Sequence, residues 1–148
     1  MDREIYVPPV NPGQVKGPSR EIFARMGEAN IERMLEDFYH ELSRGSPALR
    51  ALFPADMVEA SKKSAAFFVG LLGGPPLYQQ RHGNPMMRAR HLPFTIDDAR
   101  RDEWLACFNR VLDHAPERYG FPPEHLPGFR EFLAGFAGWM VNTRTDGG

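Results

Sequence analysis

Apolar residues recur at three- and four-residue intervals along most of this chain, and prolines and glycines repeatedly interrupt the pattern. Such spacing is typical of α-helices that have one apolar face. We find no stretch in which apolar and polar residues alternate as they do in a half-buried strand. The sequence therefore predicts an all-α fold whose helices are shorter and more often ended by proline than those of a four-helix bundle.

The interruptions set the predicted boundaries of the helices. Ser19 is a candidate N-cap for the first helix, which we expect to bend at Gly27. The prolines and glycines of residues 75–85 predict a loop, and those of residues 116–123 predict a break before the last helix. The predicted helices cover residues 19–42, 57–72, 86–91, 97–112 and 127–140.

A length of 148 residues fits a single domain. We expect residues 1–18, which are rich in proline and glycine, to form an irregular arm, and residues 19–145 to form the domain. The formal net charge of −1 provides no broad positive field for nucleic acid or an anionic membrane, and the lone Cys107 excludes an internal disulfide. Because the first residues lack the pattern of an export signal, we expect a cytoplasmic protein.

His91 has the most informative surroundings of the five histidines, since it ends a short predicted helix directly before Leu92-Pro93. A histidine in this position can be a metal ligand. It can also be a partly buried side chain that the helix dipole favours, and spacing alone favours this second interpretation.

Two other features have ordinary structural explanations. Tyr39 and Trp104 each combine an apolar ring with one polar donor, and such residues usually belong to the core. A group of five basic residues, Lys62, Lys63, Arg81, Arg88 and Arg90, is most often a solvated face. Neither a metalloprotease His-Glu-x-x-His motif nor a Gly-x-Ser-x-Gly motif occurs, so hydrolytic chemistry has no support.

Several short motifs decide between these interpretations through their order and spacing. They are Phe38-Tyr39, Leu52-Phe53-Pro54, Phe67-Phe68, Gly73-Gly74-Pro75-Pro76-Leu77-Tyr78, His82-Gly83, Met87–Phe94 and Arg101–Cys107. Together they closely resemble the group-two truncated haemoglobins. The resemblance extends over about residues 20–141, and the block from Gly73 to Cys107 is its most specific part.

This resemblance implies a globin-like, truncated two-over-two helical sandwich around haem b. The proximal histidine of the family, which binds the iron, falls on His91. A tyrosine and a tryptophan of the family that direct their donors at the ligand pocket correspond to Tyr39 and Trp104. These two residues are therefore the candidates for stabilising a bound ligand.

The resemblance also implies further haem contacts. Phe53 matches the aromatic residue at the haem edge, and Met87 and Phe94 are candidates for the apolar wall. Ser64 departs from the family, which usually has a larger apolar or amide side chain there. The matching positions on the distal helix are Ala60, Ser64, Phe67 and Phe68, and the candidates for binding the haem propionates are Lys63, Tyr78, Arg81 and Arg90.

The function that the resemblance implies is reversible binding of O2 and of other diatomic ligands such as NO and CO, with a link to nitric-oxide chemistry that would need a reductant. A peroxidase-like redox enzyme and a globin-shaped sensor or interaction module stay open as alternatives. We expect a monomer or a homodimer that binds neither nucleic acid nor a membrane.

Overall fold

The computed structural model describes residues 17–87 and 94–143. Within these ranges the regular structure is helical, and no strand occurs. The α-helices are α1 (Ile22–Ser43), α2 (Pro47–Arg50), α3 (Met57–Leu71), α4 (Leu77–His82), α5 (Asp98–Leu112), α6 (Ala115–Tyr119) and α7 (Leu126–Met140), and a 3₁₀ turn covers Pro123–His125. The all-α prediction is confirmed.

The long helices form two packed pairs. Helix α1 lies against α3, α5 lies against α7, and the pairs meet where α1 contacts α5. An amphipathic helix buries its apolar face in this way, and the aromatic rings of Phe38 on α1 and Phe108 on α5 stack at 4.1 Å between centroids. This arrangement confirms the predicted two-over-two sandwich.

The predicted bend in α1 is confirmed, whereas the predicted N-cap is wrong. Gly27 has φ of 79° and ψ of 163°, values that interrupt the helix and that glycine adopts without steric cost. Helix α1 begins at Ile22 with Glu21 in the N-cap position. Ser19 lies three residues before Ile22, and its hydroxyl accepts a hydrogen bond from the Glu21 N–H at 3.2 Å.

Two segments that the sequence predicted to be irregular contain short helices. Helix α4 lies within the predicted loop at 75–85. Helix α6 overlaps the first part of the predicted break at 116–123, and the 3₁₀ turn begins at the last residue of that break. The prediction treated proline only as a helix breaker. Pro76 instead occupies the N-cap position of α4, and Pro116 lies in the first turn of α6. Proline is tolerated at these positions because the N–H it lacks would have no partner within the helix.

Side-chain caps fix where other helices begin. The carboxylate of Asp97 accepts a hydrogen bond from the Arg100 N–H at 2.8 Å, so Asp97 is the N-cap of α5. Ser46 caps α2 by accepting from the Leu49 N–H at 3.2 Å. Capping of this kind stabilises a helix by about 1 kcal/mol.

Some predicted segments lie largely outside the described residues. Of the predicted arm at 1–18, only Gly17 and Pro18 are described, and of the predicted helix at 86–91, only Met86 and Met87. The boundary between arm and domain therefore stays a prediction. In the part of the chain that the structure covers, no helix has both the length and the apolar character needed to cross a membrane.

Candidate functional site: a cofactor cavity

A cavity of about 720 Å³ opens between the two helix pairs. Its volume lies within the range of small-molecule and cofactor sites, roughly 300–1,000 Å³. Most of the predicted site residues line it: Tyr39, Phe53, Ala60, Lys63, Ser64, Phe67, Phe68, Tyr78, Met87, Phe94 and Trp104. The fold thus brings together residues from α1, α3, α4 and α5 and from the loop after α2.

The two predicted donors, Tyr39 and Trp104, are ordered by the same buried ring. The ring of Phe38 meets Tyr39 edge to face at 5.5 Å and Trp104 edge to face at 5.3 Å. Phe38 itself is only 1% exposed. Because edge-to-face contacts favour particular ring orientations, Phe38 limits how the phenol and the indole can turn in the cavity wall.

Burial controls the protonation of Tyr39. Loss of contact with water raises the pKa of its phenol above the ordinary value, and a hydrogen bond with Ser64 opposes that rise. The phenol therefore keeps its proton at neutral pH and remains a hydrogen-bond donor. Ser64, the residue that departs from the family pattern, is in contact with the tyrosine hydroxyl.

The distal wall is formed by one face of α3. Ala60, Ser64 and Phe67 recur at intervals of four and three residues, which places them on the same side of the helix, and all three line the cavity. The ring of Phe67 lies 6.0 Å from that of Tyr78 and 6.0 Å from that of Phe136. Phe67 therefore connects the distal helix to both α4 and α7.

Phe53 is carried by a loop that a single arginine organises. The Arg50 guanidinium donates hydrogen bonds to the backbone carbonyls of Phe53 at 3.2 Å, Pro54 at 3.1 Å and Ala55 at 3.4 Å. The Phe53 ring in turn meets Tyr39 edge to face at 5.7 Å. Arg50 thereby holds the loop in the conformation that places Phe53 in the cavity wall.

We expect Arg50→Ala to loosen this loop, because three carbonyls lose a charged donor. A net hydrogen bond of about 1 kcal/mol corresponds to about fivefold in an opening equilibrium, so amide exchange near Phe53 and Ala55 should accelerate about fivefold or more. Hydrogen-exchange mass spectrometry measures this change. Arg44→Ala, which removes an exposed arginine from the preceding turn, is the matched control, and equal exchange in both variants would contradict the proposed role of Arg50.

Sequence reasoning missed two arginines in the cavity wall. Arg100 and Arg101 both line the cavity from α5, four and three residues before Trp104. That spacing places them on the same helix face as Trp104, and it was the signal that could have revealed them. Arg100 Nε lies 3.0 Å from a Glu103 carboxylate oxygen, and Arg101 Nη1 lies 3.3 Å from Asp98, so acidic neighbours partly balance both charges.

The remaining predicted residues have different placements. Arg81 is exposed on α4 and is not part of the cavity wall, and its charge acts on Glu32, where it lowers the carboxyl pKa against a larger rise caused by burial. Arg90 and His91 lie outside the described residues. The described residues on either side of their segment, Met87 and Phe94, both line the cavity.

Comparison with known proteins identifies the family and the fold. The model of the bacterial-like globin family matches residues 21–135, which is most of the chain. The chain belongs to this globin family. Its resemblance to group II truncated haemoglobins is confirmed by the relatives that follow.

The globin is 40% identical to the group 2 truncated haemoglobin YjbI of Bacillus subtilis over 113 residues, which cover 76% of this chain and 79% of the relative. The crystal structure of the group II truncated haemoglobin of Bacillus anthracis has a TM-score of 0.77 at 38% identity and covers 90% of this chain and 98% of its own. An oxygen-avid truncated haemoglobin of Bacillus subtilis has a TM-score of 0.72 at 38% identity, with 81% and 98% covered.

Globins bind haem and small gaseous ligands, so membership of the family makes this chain a haem-binding protein. The described residues fit such a group. Aromatic and aliphatic side chains form most of the cavity wall and suit the faces of a porphyrin, while the Lys63 ammonium at the wall suits a carboxylate.

Proposed function

We propose that this globin binds O2 and other diatomic ligands, such as NO and CO, reversibly at haem b held through His91. The observation that carries the proposal is the position of Tyr39 and Trp104, two hydrogen-bond donors in the wall of one otherwise largely apolar cavity. We propose that the domain with this function spans residues 19–145.

The assignment of His91 rests on the family resemblance and is supported by the cavity wall. Met87 and Phe94 bracket the segment that contains His91, and both line the cavity. The chain therefore passes alongside the cavity immediately before and after this segment. A single neutral imidazole, that of His91, would hold the haem iron from this segment.

When bound, ferrous haem supplies one open coordination position that accepts a diatomic ligand. Tyr39 and Trp104 donate hydrogen bonds to a ligand held in the cavity and slow its escape. Ser64 contacts the Tyr39 hydroxyl and helps to set where the phenolic proton points. The aromatic wall around them excludes water, which would compete for the same donors.

Four residues with hydrogen-bond donors are candidates for binding the carboxylates of the cofactor. Lys63 and Tyr78 line the cavity and are the described candidates for the propionates. Arg90 is the third candidate, one residue before His91. Arg81 is the weakest candidate, because it lies outside the cavity wall.

The relatives support ligand binding as the role of this site. One of the similar structures is an oxygen-avid haemoglobin, and Tyr39 and Trp104, which can each donate a hydrogen bond, both line the present cavity. Nitric-oxide chemistry at the same site would need an electron donor to restore ferrous iron. That partner is proposed only as a reductant of unidentified kind.

We expect Tyr39→Phe and Trp104→Phe each to raise the rate of oxygen dissociation about fivefold or more, because each removes a donor worth about 1 kcal/mol. Stopped-flow displacement of O2 by CO measures the rates. Tyr119→Phe and Trp139→Phe are the matched controls, since both residues lie outside the cavity wall. Unchanged rates of oxygen dissociation in both cavity variants would contradict the retention of O2 by these two donors. In a separate measurement, turnover of hydrogen peroxide by the haem-loaded protein above that of free haemin would favour the peroxidase alternative.

A further inference from the structure

Asn142 is a fully buried polar side chain just beyond the end of α7, with an exposed fraction of 0%. Its Oδ1 accepts a hydrogen bond from the Ile96 N–H at 3.0 Å, and its Nδ2 donates to the Phe94 carbonyl at 3.0 Å. A buried amide that lost these partners would carry the full cost of its desolvation. Both halves of the amide are therefore committed to the segment before α5.

The backbone reinforces the same connection. The N–H groups of Asn142 and Thr143 donate to the Ile96 carbonyl at 2.9 Å and 3.1 Å. The Thr143 hydroxyl donates to Asn142 Oδ1 at 2.9 Å and helps to fix the orientation of the amide. The end of α7 is thus bound to residues 94–96 through both side-chain and backbone groups. We call this set of contacts the Asn142 clamp.

The segment held by the clamp belongs to the cofactor cavity. Phe94 and Ile96 both line it, as does Met140 at the end of α7. Phe94 also follows His91 by three positions in the sequence. The clamp therefore fixes the chain at the first described residues after the proposed iron ligand.

We propose that Asn142 is a positioning residue for the proximal side of the haem site. It holds the chain that leaves the iron-binding segment, so that His91 meets the metal at a constant position and Phe94 closes the wall. This inference rests on the proposed function, because it assumes that His91 binds the iron. It assigns a role in that site to a residue that neither lines the cavity nor lies near His91 in sequence.

The test compares Asn142→Ala with Leu133→Ala. Leu133 is a fully buried core residue of α7 that lies outside the cavity wall, so its truncation destabilises the fold without touching the clamp. We expect Asn142→Ala to release haem to an excess of apomyoglobin about tenfold faster than the wild type does. We also expect a shifted iron–histidine stretching band in the resonance Raman spectrum of the ferrous protein and faster amide exchange at Ile96.

Leu133→Ala should keep the wild-type Raman band even where it lowers the unfolding temperature. Haem loss in Asn142→Ala no faster than in Leu133→Ala, together with an unshifted band, would overturn the proposal. If Asn142→Ala does not fold, Asn142→Asp decides the matter, because it keeps the shape and the acceptor but replaces the donor to Phe94 with a carboxylate oxygen, whose negative charge repels the Phe94 carbonyl. If Asn142→Asp then shows the Raman band and the rate of haem loss of the wild type, the proposal is overturned.

The outcomes also separate this inference from the proposed function. A wild-type protein that takes up no haem would contradict the function itself. A wild-type protein that retains haem, with an Asn142→Ala variant that behaves like Leu133→Ala, would contradict only the role of Asn142.

Discussion

His91→Ala is expected to fold but to bind haem at least about 100-fold more weakly than the wild type. Changes to groups that merely orient a metal ligand cost 10–100-fold in metal affinity, so removal of the axial ligand itself should cost more. The apolar cavity would still attract haemin, but no imidazole would hold the iron. Titration with haemin, followed by absorption in the Soret region, measures the difference.

External imidazole provides a sharp control for this variant. It should restore a histidine-like spectrum to His91→Ala, because the small ligand can occupy the space that the side chain vacates. His40→Ala, which removes an exposed histidine beside Tyr39, should bind haemin as the wild type does. An unaltered spectrum and affinity in His91→Ala without imidazole would show that another group binds the iron.

Gly73→Ala is expected to destabilise the fold strongly, because two segments of backbone approach each other closely at this glycine. A Cβ at Gly73 would lie 1.8 Å from the Arg20 carbonyl oxygen, and the residue has φ of +105°. Neighbouring backbone is bound at the same place, since the Phe23 N–H donates to the Leu72 carbonyl at 2.9 Å. The end of α3 and the start of α1 would have to separate.

We expect a loss of at least about 3 kcal/mol in the free energy of unfolding for Gly73→Ala, combining the strained φ with the clash. In a chain of this size the melting temperature should fall by roughly 10 °C. Gly120→Ala is the matched control, because Gly120 also has positive φ, +69°, but a Cβ there meets nothing within 4 Å. Thermal unfolding that is equal in the two variants would contradict the close approach at Gly73.

Local pattern in the sequence was enough to predict the long helices, and the family resemblance predicted much of the cavity wall. The three- and four-residue spacing of apolar residues reports which face of a helix is buried, so α1, α3, α5 and α7 were found. The bend at Gly27 was also foreseeable, because only glycine adopts its backbone angles readily. The grouping of Tyr39, Phe53 and Trp104 came from the family resemblance and agrees with the cavity wall.

Features that depend on distant partners were not foreseeable from local pattern. Helix α4 is a short helix that begins directly after two prolines, and its Tyr78 ring contacts Phe67 of a different helix, α3. Arg50 and Asn142 carry no motif, since their role depends on carbonyl and N–H groups that the fold brings to them. Arg100 and Arg101 are different, because their spacing of four and three residues before Trp104 is a local pattern that could have revealed them.

The central claim is that this chain holds a haem whose iron can accept a diatomic ligand beside Tyr39 and Trp104. It is tested most directly by absorption spectra of the purified protein after addition of haemin, recorded in the ferric, ferrous, O2-bound and CO-bound forms. We predict saturation at one haem per chain and a distinct spectrum for each ligand. A protein that stays colourless, or whose spectrum equals that of free haemin under all four conditions, would contradict the account.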